Sequence, residues 1–168
     1  MLFNPQRQLT FTRFAIRPGN RRARAACGQF GLQSSIPSGG PLLVIAGRPG
    51  SGKTHLLHAT SNLAARRDFI GDRITVGGSR LADEVQKADQ YGDLMQWFDR
   101  FTNIDWLAID DVDRMQNCPV ASNFLLKLLQ ARLAAKRRTL LSLTLGHAAS
   151  SSSPFTAFLN PQTAVWLT

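Results

Sequence analysis

The stretch AGRPGSGKTHLLHA, residues 46–59, carries the sequence's most specific chemistry. Gly47, Gly52, Lys53 and Thr54 satisfy the spacing G-x-x-x-x-G-K-[ST], with Arg48, Pro49, Gly50 and Ser51 between the two outer glycines. A loop that wraps an anion with backbone N–H groups needs glycines, because side-chain bulk would keep the backbone away from the ligand. A helix that starts at the end of such a loop points its positive dipole end at the anion. Lys53 is spaced to reach β- and γ-phosphates, Thr54 to hold Mg²⁺ through its hydroxyl, and His55 follows directly.

A phosphate-binding loop that uses a metal requires a carboxylate at the end of a neighbouring strand. WLAIDD supplies two, Asp110 and Asp111. Asp110 is predicted to orient the Mg²⁺ shell and Asp111 to orient or activate an attacking water. Acids at a strand end also cap helices; their pairing with the glycine loop favours the metal reading.

The elements that would hold these groups can be read from hydrophobic spacing. PLLVIAG is an apolar run bounded by Pro and Gly, as expected of a strand buried on both faces. From the loop to about Arg66, Leu56, Leu57, Ala59, Leu63 and Ala64 recur near a helical period. DRITVGG, IDWLAIDD, TLLSLTL and TAVWLT read as four further strands. Helices are predicted around Leu81, Val85 and Ala88, and around Leu94, Trp97, Phe98 and Phe101. A third runs through Ala121, Phe124, Leu125, Leu128, Leu129 and Leu133, with Lys127, Arg132 and Lys136 elsewhere on its surface. Strands alternating with helices imply an α/β fold with a mostly parallel sheet between helical layers. Before this core, residues 1–20 read as an extended arm. NRRARAACGQFG reads as a short basic helix, with Asn20 to cap its start and Gly31 to end it. SSIPSGG and GHAASSSSP read as loops. The expected organisation is a single domain over residues 1–168, with the arm and short helix in 1–38 and the core in 39–168.

The 168 residues carry a formal charge of +9 and are 43% hydrophobic, enough for one well-buried core. No apolar run approaches the roughly 18 residues of a membrane span, and no secretory signal is recognisable. Two cysteines, Cys27 and Cys118, imply no disulfide framework and fit a reducing cytoplasm. Residues 1–67 contain no Asp or Glu but ten basic residues. That asymmetry implies a polyanionic partner, nucleotide or nucleic acid, or a solvated basic face. Arg21, Arg22 and Arg24 are the candidate contacts to DNA phosphates. His55 and His58 lack the further ligands a metal site needs, and Trp97, Phe98 and Phe101 fit a core at helical spacing better than a base-stacking face.

Three segments together, LTFTRFAIRPGNRRARAA, GRPGSGKTHLLHA and LAIDDVDRM, resemble the AAA+ core of the bacterial replication initiator DnaA and its shorter relative Hda, in order and with similar spacing. The resemblance implies a three-layer P-loop NTPase sandwich with five strands in the order 5-1-4-3-2. The bound nucleotide would be ATP or ADP with Mg²⁺, and the arm around Phe14 to Asn20 would pack near the adenine. It also implies a polar sensor residue on the fourth strand. Ser142 and Thr144 face the same side of that strand, and Thr144, nearer its end, is preferred. RQLTF resembles a clamp-docking peptide of Hda-like proteins, but it overlaps the arm, and the arm reading is preferred.

The sequence also departs from the family. DnaA-like proteins carry an arginine just before the fifth strand and a helical lid, with a second arginine, after it. Here FLNPQTAVWLT has no basic residue, and residues 139–168 contain no Asp, Glu, Lys or Arg. The expectation is a lid-less core in which Arg48 and Arg114 are the remaining candidates to neutralise phosphate charge. Three functions compete: a nucleotide-binding regulator acting through a DnaA-type AAA+ partner, a weak ATPase with its own turnover, and a DNA-binding or helicase-loader-like module using the basic arm.

Overall fold

The computed structural model describes residues 4–32, 40–66, 71–144, 155 and 163–168. The helices are α1 (Arg21–Leu32), α2 (Lys53–Arg66), α3 (Gly78–Tyr91), α4 (Leu94–Asn103) and α5 (Pro119–Ala134). The strands are β1 (Leu42–Gly47), β2 (Arg73–Gly77), β3 (Trp106–Asp110), β4 (Arg138–Thr144) and β5 (Ala164–Leu167). All pair in parallel in the order β2-β3-β4-β1-β5, the expected 5-1-4-3-2 order. The loop GHAASSSSP and the stretch FLNPQ lie outside the described residues, apart from Pro154's neighbour Phe155, which is buried.

The sheet separates two apolar layers, as its uninterrupted apolar central strands require. On one face Leu42, Val44, Leu107, Ile109, Leu141 and Leu143 pack with α3, α4 and α5, including Phe101 and Phe124. On the other, Leu43, Ile45, Trp106, Ala108 and Leu140 pack against α1 and α2. Period-two alternation along each strand assigns its side chains to these two layers. Phe101 is fully buried, and Trp97 and Phe98 lie partly buried against the same core, so this trio serves packing. Cys27 is buried beneath α2, and burial pushes its thiol up to about 12, against a hydrogen bond from Thr60.

Three local expectations change. The arm is not extended: tight turns close from Leu9 N–H to the Gln6 carbonyl and from Arg13 N–H to the Thr10 carbonyl. A 3-10 turn then spans Pro18–Asn20. The arm lies along α2 and is fastened there by side chains far away in sequence. His58 Nδ1 accepts from Gln6 N–H at 3.1 Å, His55 Nε2 meets the Thr10 carbonyl at 2.8 Å, and Asn62 donates to the Gln6 and Leu9 carbonyls. Asn20 turns its side chain back on the arm, accepting from Arg17 N–H at 2.8 Å and donating to the Ala15 carbonyl at 3.0 Å.

The third change is Arg132. Its position off the apolar stripe predicted a surface side chain, yet it is 1% exposed. Its guanidinium donates to the carbonyls of Phe101, Ile104 and Arg138 and to Thr139 Oγ1. The planar five-donor fork suits this arrangement, because it satisfies carbonyls at the end of α4 and the start of β4 with one group. Burial, reinforced by Arg137 and opposed by Asp105, lowers its pKa to about 9.

Arg132→Met should therefore remove four buried hydrogen bonds and destabilise the fold by on the order of 3 kcal/mol, read from urea denaturation midpoints. A loss within the noise of a surface substitution would show that these bonds contribute nothing net.

The His58 contact generates a pH dependence. Nδ1 accepts a hydrogen bond, so the ring is held neutral. Desolvation lowers its pKa from 6.5, against the pull of Asp110 and with help from His55. Below pH 6.5 the unfolded chain then binds more protons than the folded one. The stabilisation is complete above pH 6.5 and is lost as pH falls through the lowered folded value. Thermal midpoints of the whole chain should drop through this window, and His58→Asn, which keeps an acceptor but does not titrate, should flatten that drop. An unchanged slope in the variant would place the titration elsewhere.

Candidate functional site

The C-terminal ends of β1, β3 and β4 gather the groups singled out in the sequence. β4 lies between the other two strands, with Gly47 in register with Thr144 and Ile109 with Leu141. This puts the glycine loop after β1 and the acids after β3 at one edge of the sheet, where parallel α/β folds bind ligands.

The loop between β1 and α2 is shaped by its glycines. Gly50 and Gly52 take φ of +75° and +99°, which residues with a Cβ rarely adopt. A Cβ at Gly47 would lie 2.7 Å from the Leu167 carbonyl and 2.8 Å from Ser51 Oγ. Arg48, Pro49 and Gly50 are exposed at the tip of the loop. Lys53, 5% exposed, folds its ammonium back onto the Arg48 carbonyl at 2.9 Å. Thr54 opens α2 beside it. Ser51 Oγ is buried and has no hydrogen-bond partner. A buried cation held by one carbonyl, an orphaned hydroxyl and the N-terminus of a 14-residue helix together fit a phosphate group.

The acids sit in a hydroxyl network that fixes their directions. Ser142 is fully buried; its Oγ donates to Asp110 Oδ1 at 2.5 Å and accepts from Asp111 N–H at 2.8 Å. One residue on, Asp111 has φ +52°, a left-handed conformation uncommon outside glycine. That turn redirects the chain out of β3 into a 3-10 helix over Val112–Asn117. Thr144 Oγ1 donates to Asp111 Oδ1 at 3.1 Å, and Thr144 N–H donates to Asp113 Oδ1 at 3.0 Å. Both hydroxyls considered for the fourth strand thus bear on the acids: Ser142 on Asp110, Thr144 on Asp111. Gly78, the first residue of α3, has no room for a Cβ, which would fall 2.3 Å from the Asp111 carbonyl.

Beside the loop, the arm closes a cleft of about 430 Å³ lined by Arg13, Phe14, Arg17, Arg48, Gly50 and His55, among others. Phe14 is buried, meets the His55 ring edge-on at 5.3 Å, and would lie 2.9 Å from a Cβ at Gly52. His55 is therefore a wall of the cleft as well as a fastener of the arm. Sequence reasoning missed Arg13 and Arg17 here, and also Asp113. The one signal for the two arginines was the acid-free composition of the arm, and Asp113, itself an acid outside the arm, carried none.

The three arginines considered for DNA separate. Arg21 and Arg22 are exposed on the first turn of α1. Arg24 is half-buried, with its guanidinium over the Phe11 ring at 5.5 Å, because its position on α1 faces the arm. Arg114, the other cation considered near the phosphates, is exposed on the 3-10 helix that follows the acids. Among the described residues no cluster of three or more His, Cys, Asp or Glu side chains could hold a metal by itself, and no helix is long and apolar enough to cross a membrane.

The comparisons with known proteins fall on this frame. The chromosomal replication initiator protein DnaA of Roseiflexus castenholzii is 34% identical over 114 residues, which is 66% of this chain and 22% of that protein. This chain thus spans about a fifth of the length of the relatives it matches. The structure of AMPPCP-bound DnaA from Aquifex aeolicus superposes with a TM-score of 0.82 at 20% identity, covering 99% of this chain and 51% of that one. A DnaC helicase loader superposes with a TM-score of 0.70 at 18% identity, covering 94% of this chain and 93% of the loader. The family model for the bacterial DnaA ATPase domain matches residues 5–145, from the arm through the end of β4, and by that match the chain belongs to the bacterial DnaA ATPase domain family.

Proposed function

We propose that the chain binds Mg²⁺-ATP or Mg²⁺-ADP and acts in the cytoplasm as an Hda-like regulator or accessory factor of replication initiation, through contact with a DnaA-type AAA+ partner. The observation that carries the reading is the loop itself: buried Lys53 and orphaned Ser51 Oγ stand at the N-terminus of α2, one strand away from Asp110. The AMPPCP in the Aquifex relative's structure supports the choice of nucleotide.

In this reading the amides of Gly50, Ser51 and Gly52 and the ammonium of Lys53 bind phosphate oxygens, with Arg48 at the loop tip. Thr54 and Asp110 hold Mg²⁺, whose chemistry is to neutralise charge on the transferring phosphoryl group. Asp111 orients a water, and Thr144 holds the Asp111 carboxylate in place. Residues 139–168 hold no Lys or Arg, and in this reading a partner's arginine supplies positive charge on the β5 side of the site. Exposed Arg21 and Arg22 offer a secondary contact to nucleic-acid phosphates. The structural likeness to the helicase loader supports a second reading, a loader-like ATPase using the basic arm.

Nucleotide binding is tested by thermal shift. Millimolar Mg²⁺-ATP and Mg²⁺-ADP should raise the melting temperature, because a ligand that binds only the folded state stabilises it by mass action. Lys53→Ala should remove most of the shift. No shift in the unmutated protein rejects the loop as a working site.

Turnover separates binding from chemistry. Hydrolysis by the isolated chain should fall well below ~1 s⁻¹, the low end of ordinary enzyme rates. A DnaA-type partner should accelerate it. Ser142→Ala, which frees the Asp110 carboxylate and the Asp111 amide, should cost about 10- to 100-fold in the stimulated rate, as loss of a metal ligand's supporting bond does. Ser142→Thr should recover much of it, and nucleotide affinity should change little. Equal stimulated rates in the wild type and Ser142→Ala would remove Ser142 as a positioning residue.

A further inference from the structure

The cleft between the arm and the glycine loop has a composition that the loop's own chemistry does not require. Arg13, Arg17 and Arg48 line it together, and no Asp or Glu does. The ion pairs among the described residues, Lys87 with Glu84 and Arg137 with Asp105, lie elsewhere. Three guanidinium groups sharing one concave wall with no Asp or Glu side chain repel each other, and such a concavity focuses positive potential on whatever enters it. The loop amides, Lys53 and the α2 dipole are sufficient for terminal phosphates. The arm's arginines come in addition.

Their backbone is not free to wander. Phe14, between them in sequence, is buried against Gly52 and His55. Asn20 fixes the main chain at Ala15 and Arg17. His55 fixes Thr10, whose carbonyl also closes the turn to Arg13. Two exposed guanidinium groups are thereby mounted on a fixed rim beside the glycine loop. Arginine suits this placement, because its fork pairs with phosphate oxygens at two points and stays charged at any physiological pH.

From this geometry we infer that Arg13 and Arg17 are nucleotide-binding residues: a clamp on the arm that closes over the anionic part of a nucleoside di- or triphosphate and supplies, from the same chain, positive charge to it. The inference rests on the nucleotide reading of the loop. It gives the arm, which the family resemblance places near the adenine, a second role at the phosphates. It also predicts an affinity more sensitive to ionic strength than the buried Lys53 alone would give, because exposed charges are screened by salt and buried ones much less.

The test uses the full chain and Mg²⁺-ADP, with dissociation constants measured by calorimetry at low and high NaCl. The double variant Arg13→Gln/Arg17→Gln should bind about tenfold more weakly or worse at low salt, the equivalent of one charge-assisted contact, and its affinity should vary less with salt. Arg13→Lys/Arg17→Lys should recover most of the affinity at low salt. Because both side chains are exposed, the melting temperature without nucleotide should stay at the wild-type value, which separates lost contact from lost fold. Equal affinity and equal salt slope in the wild type and the glutamine variant would overturn the clamp while leaving the loop intact. Failure of the wild type to bind Mg²⁺-ADP would overturn the nucleotide reading and the clamp with it.

Discussion

β4 is hydrogen-bonded to β3 on one side and to β1 on the other, and the polar machinery of the molecule hangs from the ends of those three strands. The pairing sets register as well as neighbourhood. Gly47 aligns with Thr144, so the loop leaves the sheet where the last residue of β4 ends. Ile109 aligns with Leu141, which puts Asp110 beside Ser142 and brings a buried hydroxyl against a carboxylate. A slip of one residue in β4 would send Ser142 to the opposite layer and replace it with leucine. The apolar side chains along β1, β3 and β4 therefore do more than fill the two layers. They hold the register that positions acids and loop.

The second dependence is on the arm. Its fasteners are side chains of α2, the helix that begins with Lys53 and Thr54. His55, His58 and Asn62 recur at helical spacing, so they present a single polar edge of α2 to the arm's carbonyls and to one of its amides. Phe14 then reaches the last glycine of the loop. The helix that begins at the glycine loop is also the one that holds the arm beside it.

Much of this was legible in the sequence, for physical reasons. Runs such as LLVIA and WLAI can be buried on both faces only in a parallel sheet. The spacing of Gly47, Gly52 and Lys53 has few uses other than wrapping an anion. A separation of two placed Ser142 and Thr144 on one side of their strand, and the structure brings both hydroxyls to the acids. What escaped were the partnerships set by tertiary structure. Arg132 looks like a surface cation on a helical wheel, because the carbonyls it satisfies belong to residues about 30 positions earlier and to the next strand. The arm reads as extended because its turns are held from α2, some 45 to 56 residues away. Arg24 reads as a solvent-facing cation until Phe11 folds beneath it.

Gly78 carries one more consequence. The first residue of α3 rests against the carbonyl of Asp111 so closely that a single methyl group would collide with it. At this point helix and acid turn form a hard stop, with no compliant side chain between them to absorb displacement. A push along the axis of α3 toward the sheet edge is therefore delivered directly to the residue whose left-handed backbone aims the second carboxylate. The start of α3 and the acid turn are thus coupled backbone to backbone, so any shift of α3 along its axis must be accommodated at Asp111.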